Sequence, residues 1–365
     1  MAEYNLTKMA LAMHCPGNVV KMDEAGLPSV LVYIPAFKNS DVLTGGNDSV
    51  HPAFIVNGRQ IPGFYYSKYE NIVYNRKAYS LPAEDPSVSE YFDTSMEYCE
   101  GKGYGWHMST AAEWAAIALW CKKNGTIPYG NNQNGKDIRE YENKAIPTAY
   151  GADGEIKRVA TGTGPRTWSH DGTPSGIWDM NGNVSEMQTG LRLVWGEVQI
   201  LANNDAADPE NPQNATSTCW KAINASDGSL VDPESKTTDT AVKTAGNTVK
   251  LDYIGGVWTF SNQITRVVNY AMTCAFASVT CADTVSDAAK NLLRLLALLP
   301  EDGATADDYR NDAFAANNGA SECCAYRGGS GLDEEESGLF SIRFAIDREE
   351  IHEYFGFRSA YIPNI

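Results

Sequence analysis

The sequence has no CxxC pair, no cluster of histidines and no apolar run long enough to cross a bilayer. The five His are scattered, and the eight Cys (15, 99, 121, 219, 274, 281, 323 and 324) show no metal spacing, which argues against structural zinc. Basic charge is scarce: 29 Lys and Arg stand against 46 Asp and Glu, a formal net charge of −17. Such a chain repels nucleic acid and anionic membrane surfaces, so neither is expected as partner and no membrane insertion is expected. The start, Met1 to Lys8, lacks a basic region followed by an apolar stretch, and Cys15 follows only a short apolar segment, so neither signal peptide nor lipobox is expected. The expected birthplace is a cytoplasm, where buried free thiols are the default and Cys274–Cys281 is the one pairing to watch. A virion protein released by lysis meets the same condition.

What is abundant is aromatic: 19 Tyr and 8 Trp in 365 residues, which serve either a β-rich core or a recognition surface. The length accommodates a sizeable core.

Local patterns give several elements. Ser29-Val-Leu-Val-Tyr-Ile-Pro35 is a β-branched run closed by proline and predicts a strand, as does the aromatic alternation of Gly63-Phe-Tyr-Tyr-Ser-Lys-Tyr-Glu70. A helix is expected over 85–103 with Asp93 as N-cap and Gly101 and Gly103 at its end. A second is stronger: Thr110-Ala-Ala-Glu113 is a capping box, and Trp114, Ile117, Ala118 and Cys121 form one stripe before Gly125 stops the helix. Residues 125–175 read as loop. Strands are expected at 194–201 and 249–260, and a helix capped by Ser286 that presents Leu292, Leu295, Leu296 and Leu299 up to Pro300. Near the end, Phe340, Ile342, Phe344 and Ile346 alternate with Ser341, Arg343, Ala345 and Asp347, so one strand face is core and the other is free to vary.

Read in order, four blocks carry a family resemblance. They are Phe64-Tyr-Tyr-Ser-Lys-Tyr-Glu70; Tyr98-Cys-Glu100 with His107-Met-Ser-Thr-Ala-Ala-Glu-Trp114; Gly176-Ile-Trp-Asp-Met-Asn-Gly-Asn-Val-Ser-Glu186; and Arg327-Gly-Gly-Ser330 with Gly356-Phe-Arg358. Together they resemble the formylglycine-generating-enzyme (sulfatase-modifying-factor) family. The resemblance implies an α+β, C-type-lectin-like fold with an N-terminal extension (1–60), a lectin-like domain made from 60–190 and 325–365, and a large insertion (191–324).

The family's enzymes resemble one another in a reactive Cys pair after the Arg-Gly-Gly-Ser run, whereas this chain has none between Gly331 and Phe340. Cys323 and Cys324 precede the run, and neighbours on a strand point to opposite faces. Oxidative catalysis is therefore not expected, and a formylglycine-generating-type oxidoreductase is the alternative reading. The family resemblance also points to a structural calcium at Asn183, the carbonyl of Val184 and Glu186, with oxygen ligands that suit a hard cation; the other reading has Asn183 capping a turn and Glu186 in solvent. No other cofactor is expected.

Within the family the chain looks most like variable proteins of diversity-generating retroelements, phage type. The residues are Arg327-Gly-Gly-Ser-Gly-Leu-Asp333, Ser337-Gly-Leu-Phe340, a stretch of idiosyncratic residues, and Phe355-Gly-Phe-Arg-Ser-Ala360, with Tyr4-Asn-Leu-Thr-Lys-Met9 and His51-Pro-Ala-Phe-Ile-Val56 at the start. Such proteins have a C-terminal segment rewritten at adenines. The resemblance implies a binding face at Gly331, Leu332, Asp333, Arg343, Ala345, Ile346, Glu350, His352 and Tyr354, although Glu350 departs from an asparagine template because no adenine change in an Asn codon yields Glu. It implies a bacterial surface receptor, protein or glycan, or another macromolecule as partner, and a place on a phage tail. Bacterial cytoplasm or cell surface is the alternative, and a homo-oligomer stays open.

Overall fold

The computed structural model describes residues 11, 13–140 and 145–365; the opening block from Tyr4 to Met9 lies outside them. The fold is mixed and mostly β, with two principal sheets. The smaller has the order Asn18–Met22, Pro28–Pro35, Gly63–Ser67, Ser359–Tyr361 and Trp106–Met108, all antiparallel. The last strand of the chain thus sits between two strands from its first third.

The larger sheet is built on four segments: β1 (Ser185–Val194), β2 (Cys323–Gly328), β3 (Gly338–Ile346) and β4 (Phe355–Phe357). β2 lies antiparallel between β1 and β3, and β4 runs parallel to β1. The strands of residues 191–324 continue this same sheet. Met272–Ala275 and Ala313–Ala316 extend it beyond β3, while Glu197–Ile200, Ala245–Ile254, Val257–Gln263 and Thr280–Cys281 extend it beyond β1. Gly255 and Gly256, both at positive φ, turn the expected 249–260 strand into a hairpin. One hydrophobic core joins Phe64, Trp114, Leu191, Leu251, Phe260, Leu293 and Phe340. The boundaries near 60, 190 and 325 mark changes of motif content, not of packing.

The longer helices among the described residues are α1 (Phe92–Glu100), α2 (Ala111–Asn124) and α3 (Asp287–Leu295), which pack on these sheets. α2 begins and ends as its sequence dictates. The Thr110 hydroxyl accepts the Glu113 amide at 3.1 Å, Glu113 Oε2 accepts the Thr110 amide at 3.2 Å, and Gly125 is left-handed at φ +68. Its expected single stripe is a correction, however. Ala111 through Leu119 are all buried, Glu113 included, because strands and loops cover the helix on every side.

α1 starts later than expected. Tyr91 holds the N-cap position without a side-chain bond, and Asp93 lies inside the first turn, where its charge meets the positive helix end and the Arg348 guanidinium. In α3 the Ser286 hydroxyl accepts the Ala289 amide, as expected, but the helix ends at Leu295 and Ala297 turns left-handed at φ +50. Leu293, Leu295, Leu296 and Leu299 are therefore buried while Leu292 is only half-buried. Arg327 closes that end: its Nη2 donates to the carbonyls of Leu296 (3.0 Å) and Ala297 (3.1 Å), groups a helix terminus leaves unpaired. All eight cysteines are free.

Candidate ligand-binding face

The motif residues build a buried polar frame beneath the C-terminal segment. Arg358 Nε donates to both Glu186 oxygens (2.9 and 2.8 Å), and Arg358 Nη1 donates to the Lys68 carbonyl at 3.1 Å. Glu70 Oε2 accepts from Asn183 Nδ2 at 2.5 Å and its Oε1 from the Val184 amide at 3.3 Å. Burial, joined by the nearby Asp179 charge, pushes the Glu70 carboxyl well above the ordinary range. Asn183 Oδ1 accepts from the Val159 amide (2.9 Å) and Asn131 Nδ2 (3.1 Å).

The calcium expectation fails on this geometry. The oxygens of Asn183 and Glu186 are already engaged, and the positive charge facing Glu186 is a guanidinium. The alternative of a solvated Glu186 fails too, since that residue is fully buried. Among the described residues no group of three or more His, Cys, Asp or Glu is placed to hold a metal ion.

On this frame β3 alternates from Ile342 onward, whereas Ser341, expected on the open face, is buried. Phe340, Ile342, Phe344 and Ile346 are buried, while Arg343 and Ala345 are half-exposed. Two segments flank the open side, 329–337 before the strand and 347–354 after it. In the first, Ser330 N donates to Asp333 Oδ2 at 2.7 Å, and the Ser337 hydroxyl donates to the Gly328 carbonyl at 2.7 Å. Gly329 needs its hydrogen, because at φ +72 a Cβ would lie 2.5 Å from the Ser337 hydroxyl.

The second segment is held almost wholly by backbone. The carbonyls of Arg348, His352 and Tyr354 accept the amides of Phe92 (3.3 Å), Ser89 (3.1 Å) and Ser185 (2.7 Å). Two side chains add to this: Arg348 forks onto Glu322 at 2.8 and 2.9 Å, where Glu322 also accepts from Arg192 at 2.8 Å, and Glu353 pairs with Lys157. Between these anchors Glu349, Glu350, Ile351, His352 and Glu353 are exposed.

A two-strand hairpin, Pro147–Tyr150 with Ile156–Val159, links the two segments. The Lys157 carbonyl lies against Gly331, while Lys157 Nζ pairs with Glu353 at 2.7 Å and sits 5.5 Å from the Tyr354 ring centre. Arg158 Nη1 donates to the Glu353 carbonyl at 3.1 Å. Arg343 approaches Asp333 at 4.0 Å, in a shallow depression that also includes Ser185 and Tyr326. His352 stacks on Tyr354 with ring centres 4.8 Å apart.

The structure thus groups Leu332, Asp333, Arg343, Ala345, Glu350, His352 and Tyr354 around exposed surface. Gly331 and Ile346 depart from the expectation. Gly331 is buried, and a Cβ there would stand 2.2 Å from the Lys157 carbonyl. Ile346 belongs to the core with Tyr326 and Phe355. Sequence reasoning missed Arg348, Lys157, Arg158 and Glu353. Their partners are remote in the chain, and no local pattern marks them.

Asp312 supports the start of β3. Its Oδ2 accepts the Phe340 amide at 2.7 Å, and burial pushes its carboxyl up to about 7, against the pull of Arg139 and Arg310 and with some push from Asp137. The folded protein therefore holds a proton that the unfolded chain, titrating near 3.8, releases. The corresponding stability is present below the unfolded value and is lost as pH rises through the folded one. Between about pH 4 and about pH 7 the urea midpoint of the parent chain should fall relative to that of Asp312→Asn. A constant difference between the two would assign any pH dependence to other groups.

Cys323 and Cys324 are both buried and join different clusters, one on each side of β2. Burial pushes the Cys323 thiol up to about 12 and the Cys324 thiol well above its usual value, so neither is a ready thiolate.

No family model matches the chain, and no curated protein matches it. Among solved structures it is similar to the Major Tropism Determinant P3c variant, with 8% identity over 94% of this chain and 71% of that one at a TM-score of 0.30. The Major Tropism Determinant U1 variant gives 8% identity, the same coverages and a TM-score of 0.29. PvdO from Pseudomonas aeruginosa gives 12% identity over 94% of this chain and 98% of that one, at 0.31. No helix among the described residues is long and apolar enough to cross a membrane.

Proposed function

We propose that this chain is a non-catalytic receptor-binding protein with a C-type-lectin-like fold of the formylglycine-generating type. In this reading a retroelement diversifies its C-terminal segment, about 326–361, and a phage tail displays it toward a bacterial surface receptor. The observation that carries the reading is the anchoring of 347–354 through main-chain carbonyls. Backbone bonds do not depend on side-chain identity, so residues 349–354 can change while the loop keeps its path. Arg343 and Ala345 add a strand face with the same property. The buried, unreactive thiols support a protein without oxidative chemistry. The acids exposed on the face, Glu334, Glu335, Glu336, Asp347, Glu349 and Glu350, favour a partner that is not polyanionic.

The test needs only the DNA beside the gene. A near-copy of the codons for 325–362 is expected, differing almost only at adenines, with the differences at positions such as 332, 333, 343, 345, 352 and 354. Gly331 and Ile346 should match the copy, because one has no room for a Cβ and the other fills the core. Differences spread over all four bases, or concentrated at buried positions, would overturn the reading.

A further inference from the structure

Away from the C-terminal face, a groove of about 220 Å³ opens where α2 meets the strand Pro28–Pro35 of the smaller sheet. A cavity of about 150 Å³ is enough for a benzene molecule, so the groove has room for one ring and a small substituent. Val32, Ile34 and Ile117 form its apolar floor. Phe37 and Trp120 stand above that floor, and both are half-buried. Trp120 follows directly on the fully buried run of α2, at the point where the helix comes out from under its cover. Tyr33 and Pro35 on the rim are exposed, so the groove is open to solvent.

Two polar side chains, neighbours in the chain, complete the lining. His170 is 6% exposed, and its ring lies 5.6 Å from that of Trp120. The Ile177 amide donates to His170 Nδ1 at 2.8 Å, so in the neutral ring the proton sits on Nε2. Burial pushes the imidazole pKa down to about 4, against the pull of Asp171, and the ring is neutral at physiological pH. Nε2 makes no hydrogen bond among the described residues, yet it is not one of the atoms sealed inside the protein. It is a donor of fixed direction left open on the groove. Asp171 is half-buried. Its Oδ1 accepts from the Ser169 hydroxyl (2.9 Å), the Thr173 amide (2.8 Å) and the Thr173 hydroxyl (2.9 Å). Its Oδ2 is reached only by that same Thr173 hydroxyl, at 3.0 Å, and keeps accepting capacity to spare.

We infer that this groove is a second binding site, for a small neutral ligand: a planar aromatic ring that carries a primary carboxamide. The ring lies between Trp120, Phe37 and the aliphatic floor, where its faces leave water. The amide carbonyl accepts from His170 Nε2, and the amide nitrogen donates to Asp171 Oδ2. A carboxylate in place of the amide would set a second negative charge beside Asp171 and bring no donor to it. The groove shares no residue with the variable face, and the inference does not depend on that reading.

The test titrates the full chain with benzamide while tryptophan fluorescence and proton saturation transfer are followed. Benzamide should bind saturably. Benzoate, of the same shape, and N,N-dimethylbenzamide, which keeps the carbonyl but has no N–H, should each bind at least about tenfold more weakly, the worth of a hydrogen bond. His170→Phe keeps a ring in the wall, removes the donor and should weaken benzamide by about tenfold. That variant also takes the acceptor from the Ile177 amide, so Trp120→Ala is read beside it. The Trp120 side chain makes no hydrogen bond among the described residues and is half-buried, so its loss should leave the chain folded and weaken benzamide by about tenfold or more. Tyr354→Ala should leave benzamide binding unchanged, which keeps this outcome distinct from that of the C-terminal face. Absence of saturable binding, equal affinity for benzamide and either analogue, or benzamide affinity untouched in folded Trp120→Ala would each overturn the inference.

Discussion

Arg358→Ala should destabilise the fold by about 3–5 kcal/mol, the usual cost of leaving one member of a buried ion pair without its partner. Glu186 would lose the bonds to both of its oxygens at 0% exposure, and the carbonyl of Lys68 would lose its donor. Against a typical domain stability of about 5–15 kcal/mol this approaches loss of the folded state. Urea denaturation of the purified variant measures it. The double variant Arg358→Met/Glu186→Leu removes both charges and should be much milder than either single change. A single variant of near-wild-type stability would mean that the pair does not join the C-terminal segment to β1.

Phe344→Ala and Phe357→Ala should each cost about 3–5 kcal/mol through lost burial and the cavity left behind. Phe344 is 2% exposed and packs against Phe314 with ring centres 6.1 Å apart; Phe357 is 1% exposed among Met187, Tyr326 and Phe355. These residues lie within a few positions of ones that the account leaves free to vary, so the contrast is sharp along one short stretch. Thermal unfolding of the variants reads the effect. A shift no larger than that of an ordinary surface change would contradict the assignment of these rings to the core.

Much of the scaffold was legible because it follows local rules. The Thr110–Glu113 capping box, the left-handed Gly125 and the period-two pattern of β3 each depend on residues a few positions apart. The motif blocks pointed to the right residues, but their roles came from partners far away. Glu186 and Asn183 look like cation ligands until Arg358, 172 residues on from Glu186, and Glu70 are brought against them. The same distance hid the anchor of the binding face. Nothing near Arg348 announces Glu322 or Asp93, and the 147–159 hairpin lies in a stretch whose glycines and polar residues read as loop. The segment 191–324 was set apart as an insertion within the lectin-like domain because it matches no motif; that its strands pair beside β1 and β3 in one sheet has no local signal.

The central claim is that the loop keeps its path when the exposed side chains of 349–354 change, and amide hydrogen exchange tests it without any receptor in hand. The variant to compare with the parent chain is Glu350→Ala/His352→Ala/Tyr354→Ala. The amides of Ser89 and Ser185, which donate to the carbonyls of His352 and Tyr354, should stay as protected as in the parent. The urea midpoint should move by no more than a change of about 0.5 kcal/mol would produce. Rapid exchange at those two amides, or a variant that unfolds, would make the segment ordinary scaffold and contradict the account.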